Sequence, residues 1–122
     1  MAQMLPLDEA FPIQRQLDVE AGPVVLVNVF TLDKVDEPAF LKAWQNDAAW
    51  MKKQPGFIST QLHRAIGENA TYMNQAVWES TALFKAAFIH PDFRATIALY
   101  PDSAVAKPHL FQTVAVPGIC VA

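Results

Sequence analysis

Apolar residues crowd Val24-Val25-Leu26-Val27-Asn28-Val29-Phe30-Thr31-Leu32, and the β-branched content of this run predicts a strand interrupted by one amide, Asn28. The pattern then changes period. Asp36-Glu37-Pro38 supplies a capping residue, an acidic first turn and an early proline, and Phe40, Leu41, Trp44, Ala48 and Met51 follow at helical spacing, so a helix is expected to end before Pro55-Gly56. Alternation returns in Phe57 to Ile66 and in Tyr72 to Ser80. The short turn between them, Gly67-Glu68-Asn69-Ala70, predicts a hairpin. Ser80 can cap a helix carrying Leu83, Phe84, Ala87 and Phe88, and His90-Pro91-Asp92 starts another with Phe93 and Ile97. Leu110 to Val116 is expected to be the last strand.

The order strand, helix, strand, strand, helix pair, strand is the split βαβ pattern of a ferredoxin-like α+β fold: an antiparallel sheet backed by helices. Helices on one side leave the other bare. Yet Val25, Val27, Val29, Met73 and Val77, which share the bare side, are apolar, so a second copy of the sheet is expected to cover them and close a dimeric α+β barrel. Residues 1–22, with Pro6, Pro12 and scattered apolar positions, read as an N-terminal arm with at most a short strand, ahead of one domain over 23–122.

Composition reinforces the oligomer. In 122 residues, 52% are hydrophobic and 17% charged, more apolar surface than one small domain hides. A net charge of -3 without a basic stripe argues against nucleic acid. No run reaches the length of a membrane span, and acidic residues stand where a signal peptide would be basic. The single cysteine, Cys120, forms no internal disulfide and is expected to serve packing. Together these features suggest a soluble cytoplasmic protein.

Chemistry concentrates on one strand. Asn74 and Trp78 share parity with Tyr72 and Ala76, so an amide and an indole N–H project from one face, their Cα atoms roughly 13 Å apart. If register places Asn28 beside them, Trp44, Phe84 and Phe88 from the helices can form the far wall of a mostly apolar pocket for a flat, oxygen-bearing ligand. Spacing alone leaves the plain alternative open, in which these side chains are ordinary core. No metal site is expected, because His63, His90 and His109 are dispersed and Cys120 is alone; a proton-shuttling histidine stays open. Ser59 and Ser80 lack a neighbouring base, and four glycines make no phosphate loop, which removes hydrolase, kinase and dinucleotide readings.

The strand Val24 to Leu32, Pro55-Gly56-Phe57-Ile58-Ser59, Asn74-Gln75-Ala76-Val77-Trp78-Glu79-Ser80 and His90-Pro91-Asp92-Phe93-Arg94 occur in the order seen in the antibiotic biosynthesis monooxygenase family, which the chain resembles over residues 23 to 116. The resemblance implies a homodimer that oxidises a small aromatic phenol or quinol with molecular oxygen and no cofactor, with Asn74 and Trp78 as catalytic residues and Asn28, Tyr72, Trp44, Phe84 and Phe88 around the substrate. Two family features are missing: Phe84 stands where quinone-forming members carry a tyrosine, and Arg94 is displaced from their arginine. A non-catalytic small-molecule binder of the same fold is therefore the alternative. Haem-degrading relatives, which share an asparagine at the position of Asn28, need an axial histidine where Ile97 stands.

Overall fold

A computed structural model describes all 122 residues, Met1–Ala122. The elements are β1 (Gln3–Met4), α1 (Ile13–Gln16), β2 (Val24–Thr31), α2 (Glu37–Met51, entered through a 3-10 turn at Lys34–Asp36), β3 (Phe57–Arg64), β4 (Thr71–Trp78), α3 (Thr81–Phe88), α4 (Pro91–Ile97) and β5 (Val105–Phe111). They build one five-stranded sheet in the order β1-β5-β2-β4-β3, antiparallel except for the β1–β5 edge. Without β1, this is the ferredoxin-like arrangement expected from the pattern.

Local chemistry sets the helix starts. The Ser80 hydroxyl accepts from the Leu83 N–H at 3.2 Å at the head of α3, and His90 Nδ1 accepts from the Asp92 N–H at 3.0 Å at the head of α4, with Pro91 next in line. Between α2 and β3, Gly56 adopts φ +88, and a Cβ there would sit 2.5 Å from the Leu83 side chain. Only glycine allows both the turn and the close approach of α3.

Two strands depart from the simple alternation. A β-bulge between Phe57 and Ser59 makes Phe57 pair with Trp78 while Ser59 pairs with Val77. Phe57 consequently faces the helices and Ile58 faces outward, 52% exposed. The last strand lies earlier than expected, at 105–111 rather than 110–116. Pro108 discourages a strand assignment there, but the Ala106 carbonyl accepts from Leu5 N, so the nitrogen of residue 108 points to the same edge, beyond the last β1 pair at Met4–Ala106. No ladder bond to β1 is lost. The tail beyond Phe111 is exposed, and so is Cys120, whose thiol donates to the Val114 carbonyl at 3.3 Å instead of packing in the core.

The N-terminal arm packs more closely than an appendage would. Ala2, Ile13, Gln16 and Leu17 are buried, and Gln16 joins the arm to β5: its Oε1 accepts from Leu110 N at 2.7 Å and its Nε2 donates to the Phe11 carbonyl at 2.8 Å. The interior consists of two aromatic-rich clusters. One contains Trp78, Phe84, Phe88 and Phe93; the other contains Phe30, Phe40, Tyr72 and Tyr100. Successive ring centroids from Trp78 through Phe84 and Phe88 to Phe93 lie 5.4–5.5 Å apart, each such pair contributing about 0.5–1.5 kcal/mol beyond area burial. No helix is long and apolar enough to cross a membrane.

Candidate active site

A cavity opens between the two clusters, under the sheet and against α2. The cavity is small, about 50 Å³ once its open mouth is left out. The β2–β4 register puts Asn28 directly opposite Asn74, Leu26 opposite Ala76 and Val24 opposite Trp78. Thus the parity that hides Val24, Leu26 and Phe30 also aims both amides at the helices. Asn28, Asn74 and Trp78 line the cavity together with Trp44 from α2 and Phe84 from α3.

Two other residues expected there lie elsewhere. Tyr72 is buried in the second cluster, its ring 4.7 Å from that of Phe40 and its hydroxyl donating to Glu37 Oε1 at 2.7 Å. Arg64 Nε donates to the same oxygen at 2.8 Å and is the main cause holding the Glu37 carboxyl below its ordinary pKa. Phe88 sits one layer behind Phe84, between it and Phe93. Arg94 is exposed, with its guanidinium 5.8 Å from the Phe88 ring centroid, and Ile97 is buried in the first cluster. The histidines lie apart: His63 beside the Met73 carbonyl, His90 at its helix cap and His109 against Gln16.

The facing amides differ in their hydrogen bonding. Thr60 Oγ1 donates to Asn74 Oδ1 at 2.6 Å, which leaves the NH₂ of that amide as its free end. Asn28 Oδ1 is buried, and no protein group donates to it. One amide therefore offers donors and the other an acceptor. Trp78 is 1% exposed and wedged edge-on between Phe57 and Phe84, at 5.4 and 5.5 Å, so its orientation is set by packing on both flanks.

Sequence reasoning missed Thr60 and Asp47. Asp47 is the only ionisable side chain lining the cavity. Burial pushes its carboxyl up to about 6, partly offset by the Tyr100 hydroxyl, which donates to Oδ2 at 2.7 Å. The Tyr100 hydroxyl is in turn pushed well above its ordinary pKa, first by burial and then by the Asp47 charge. A signal was present: Asp47 shares the helix face of Phe40, Trp44 and Met51, where a carboxylate interrupts an otherwise apolar stripe.

The fold, with this cavity between sheet and helices, defines a class, and the sequence profile of the antibiotic biosynthesis monooxygenase family matches residues 23–99; the chain belongs to that family. Among characterised relatives, it is similar to the deoxynogalonate monooxygenase of Streptomyces nogalater, with 36% identity over 76 residues. That stretch covers 62% of this chain and 63% of the relative, less than two thirds of the latter's length. The crystal structure of SnoaB, a cofactor-independent oxygenase from Streptomyces nogalater, superposes with a TM-score of 0.73 at 26% identity, covering 80% of this chain and 99% of that one. A conserved protein of unknown function from Bacteroides thetaiotaomicron shares the fold alone, with a TM-score of 0.65 at 17% identity over 75% of this chain and 98% of that one.

Proposed function

We propose that the chain is a cofactor-independent monooxygenase that oxidises an aromatic phenol or quinol with molecular oxygen. The observation that carries this reading is the Asn74 amide, whose oxygen is held by Thr60 so that its N–H groups are free toward an apolar cavity shared with Trp78. Similarity to an oxygenase named as cofactor-independent supports the same reaction class. With no cofactor, the substrate must be its own reductant, so the protein's task is to favour the electron-rich phenolate or enolate that reduces oxygen. Oriented N–H donors from Asn74 and Trp78 lower the energy of charge on the substrate or peroxy oxygen, and losing one such donor typically costs about a hundredfold in rate. Asn28, paired with Asn74 across the two strands, can accept from a substrate hydroxyl next to that donor.

A second copy covering the outer sheet face completes the proposal. Val25, Val27, Val29, Met73 and Val77 are all partly exposed on that face, around the exposed Gln75, and exposed apolar groups of this kind mark interfaces. The alternative, a binder without chemistry, draws on Phe84 and on the outward position of Arg94. Oxygen uptake by the purified, metal-free protein with an anthrone or a hydroquinone separates the two. Uptake above the uncatalysed rate, lost in Asn74→Ala and reduced in Trp78→Phe, supports the oxygenase; uptake at the uncatalysed rate, unchanged by either substitution, removes it.

A further inference from the structure

We propose that Asp47 is the proton acceptor of the reaction, taking the acidic hydrogen of an enolisable or phenolic substrate seated between α2 and the sheet. This rests on the oxygenase reading and adds a catalytic residue to it. The placement comes from three elements. Asp47 projects from α2 into the same cavity that Asn28 and Asn74 enter from the opposite, β-sheet wall. A flat ligand lying between them meets a base on one side and amide donors on the other. The hydrogen bond from Tyr100 engages Oδ2 and leaves Oδ1 open.

Its surroundings contain no competing charge. The remaining lining residues contributed by α2, α3 and β2 to β4 are apolar, amide or hydroxyl side chains. On α4, which packs against α2, the titratable or charged groups His90, Asp92 and Arg94 are exposed. The only titratable partner acting on Asp47 is the Tyr100 hydroxyl. A carboxylate raised to about 6 by burial is ionised at neutral pH yet more basic than an exposed aspartate, which suits a general base.

The step balances without an oxidant. The C–H or O–H bond of the substrate breaks, the proton goes to Asp47, and the electron pair stays on the substrate, spreading onto the carbonyl or phenol oxygen opposite the Asn74 N–H groups. Oxygen is reduced only afterwards, by the anion so formed. Asp47 returns its proton to solvent before the next cycle.

The test uses anthrone in D₂O without oxygen, following deuterium entry at its methylene carbon by NMR. Wild-type protein should accelerate exchange over buffer, with an acid limb near 6. Asp47→Asn should lower the enzymatic exchange by about a hundredfold or more, with folding of the variant verified by circular dichroism. Tyr100→Phe provides a second readout that does not require Asp47 to be altered. Loss of its hydroxyl removes a bond that favours the carboxylate, so the acid limb should move to higher pH. Exchange by wild type at the buffer rate, exchange by Asp47→Asn at the wild-type rate, or an unmoved acid limb in Tyr100→Phe would each overturn the assignment. Admitting air distinguishes the two readings: Asp47-dependent exchange without oxygen uptake retains the base and removes the oxygenase, whereas equal uptake by wild type and Asp47→Asn retains the oxygenase and removes the base.

Discussion

Asn28 and Asn74 are paired across β2 and β4, yet only Asn74 has its oxygen engaged by a protein donor, the Thr60 hydroxyl at 2.6 Å. The Thr60 contact should therefore matter to rate through the amide it holds. Asn74→Ala is expected to lower kcat by about a hundredfold. Thr60→Val, which keeps the shape but frees the amide to flip, should cost less, about tenfold, and mostly in kcat. Steady-state oxygen uptake measures both, and a Thr60→Val enzyme with wild-type kcat would show that the amide is oriented by something else.

The unpartnered acceptor at Asn28 predicts a conflict between stability and binding. A buried polar atom without a partner costs about 1–3 kcal/mol. Asn28→Leu, nearly equal in size, should raise unfolding free energy by about 1 kcal/mol in urea titrations and weaken binding of a hydroxylated anthraquinone about tenfold. A variant that is less stable than wild type would show that the amide oxygen is satisfied in solution.

Asp47 makes the fold pH-dependent. Its carboxyl has an ordinary value of 3.8 and is raised to about 6 in the folded chain. Between those values the folded state keeps a proton that the unfolded state has lost, so stability falls as pH rises through this window and the penalty is complete above it. The full difference amounts to about 3 kcal/mol at most. Asp47→Asn never ionises and should be more stable than wild type at pH 8 but similar at pH 4, where both forms are neutral. Urea unfolding of the pair at both pH values checks this; a stability difference independent of pH would contradict the raised value.

The proposed dimer through the bare sheet face predicts that Val27→Lys, at the middle of β2 on its outer side, yields a monomer. Sedimentation velocity should show the smaller species, with the cavity still able to quench tryptophan fluorescence on ligand binding. Unchanged sedimentation would place the interface elsewhere.

Much of this arrangement was legible from period alone. Parity placed Asn28, Asn74 and Trp78 on the helix-facing side because each shares its face with buried residues that have no alternative: Val24, Leu26, Phe30 and Ala76. Tyr72 and Phe88 share the right faces too, but which inward residue meets a void depends on depth along the strand and helix, which parity does not encode. Thr60 needed the β3–β4 register. Asp47 needed the recognition that one acid on an apolar helix stripe is unlike a solvated surface charge. The last strand begins five residues before the expected Leu110, in a stretch where Pro108 reads as a breaker unless the short length of β1 is already known.

The bulge at Ile58 has a bearing on how this protein can vary. An unbulged ladder of the same residues would set Ile58 opposite Trp78 and turn Phe57 to the far side, while Thr60 and everything after it kept their places. The aromatic flank of Trp78 would vanish without any change in the chemistry of a lining side chain. At this end of the chamber, the local pairing of the strand governs the shape of the wall as much as the identity of its residues.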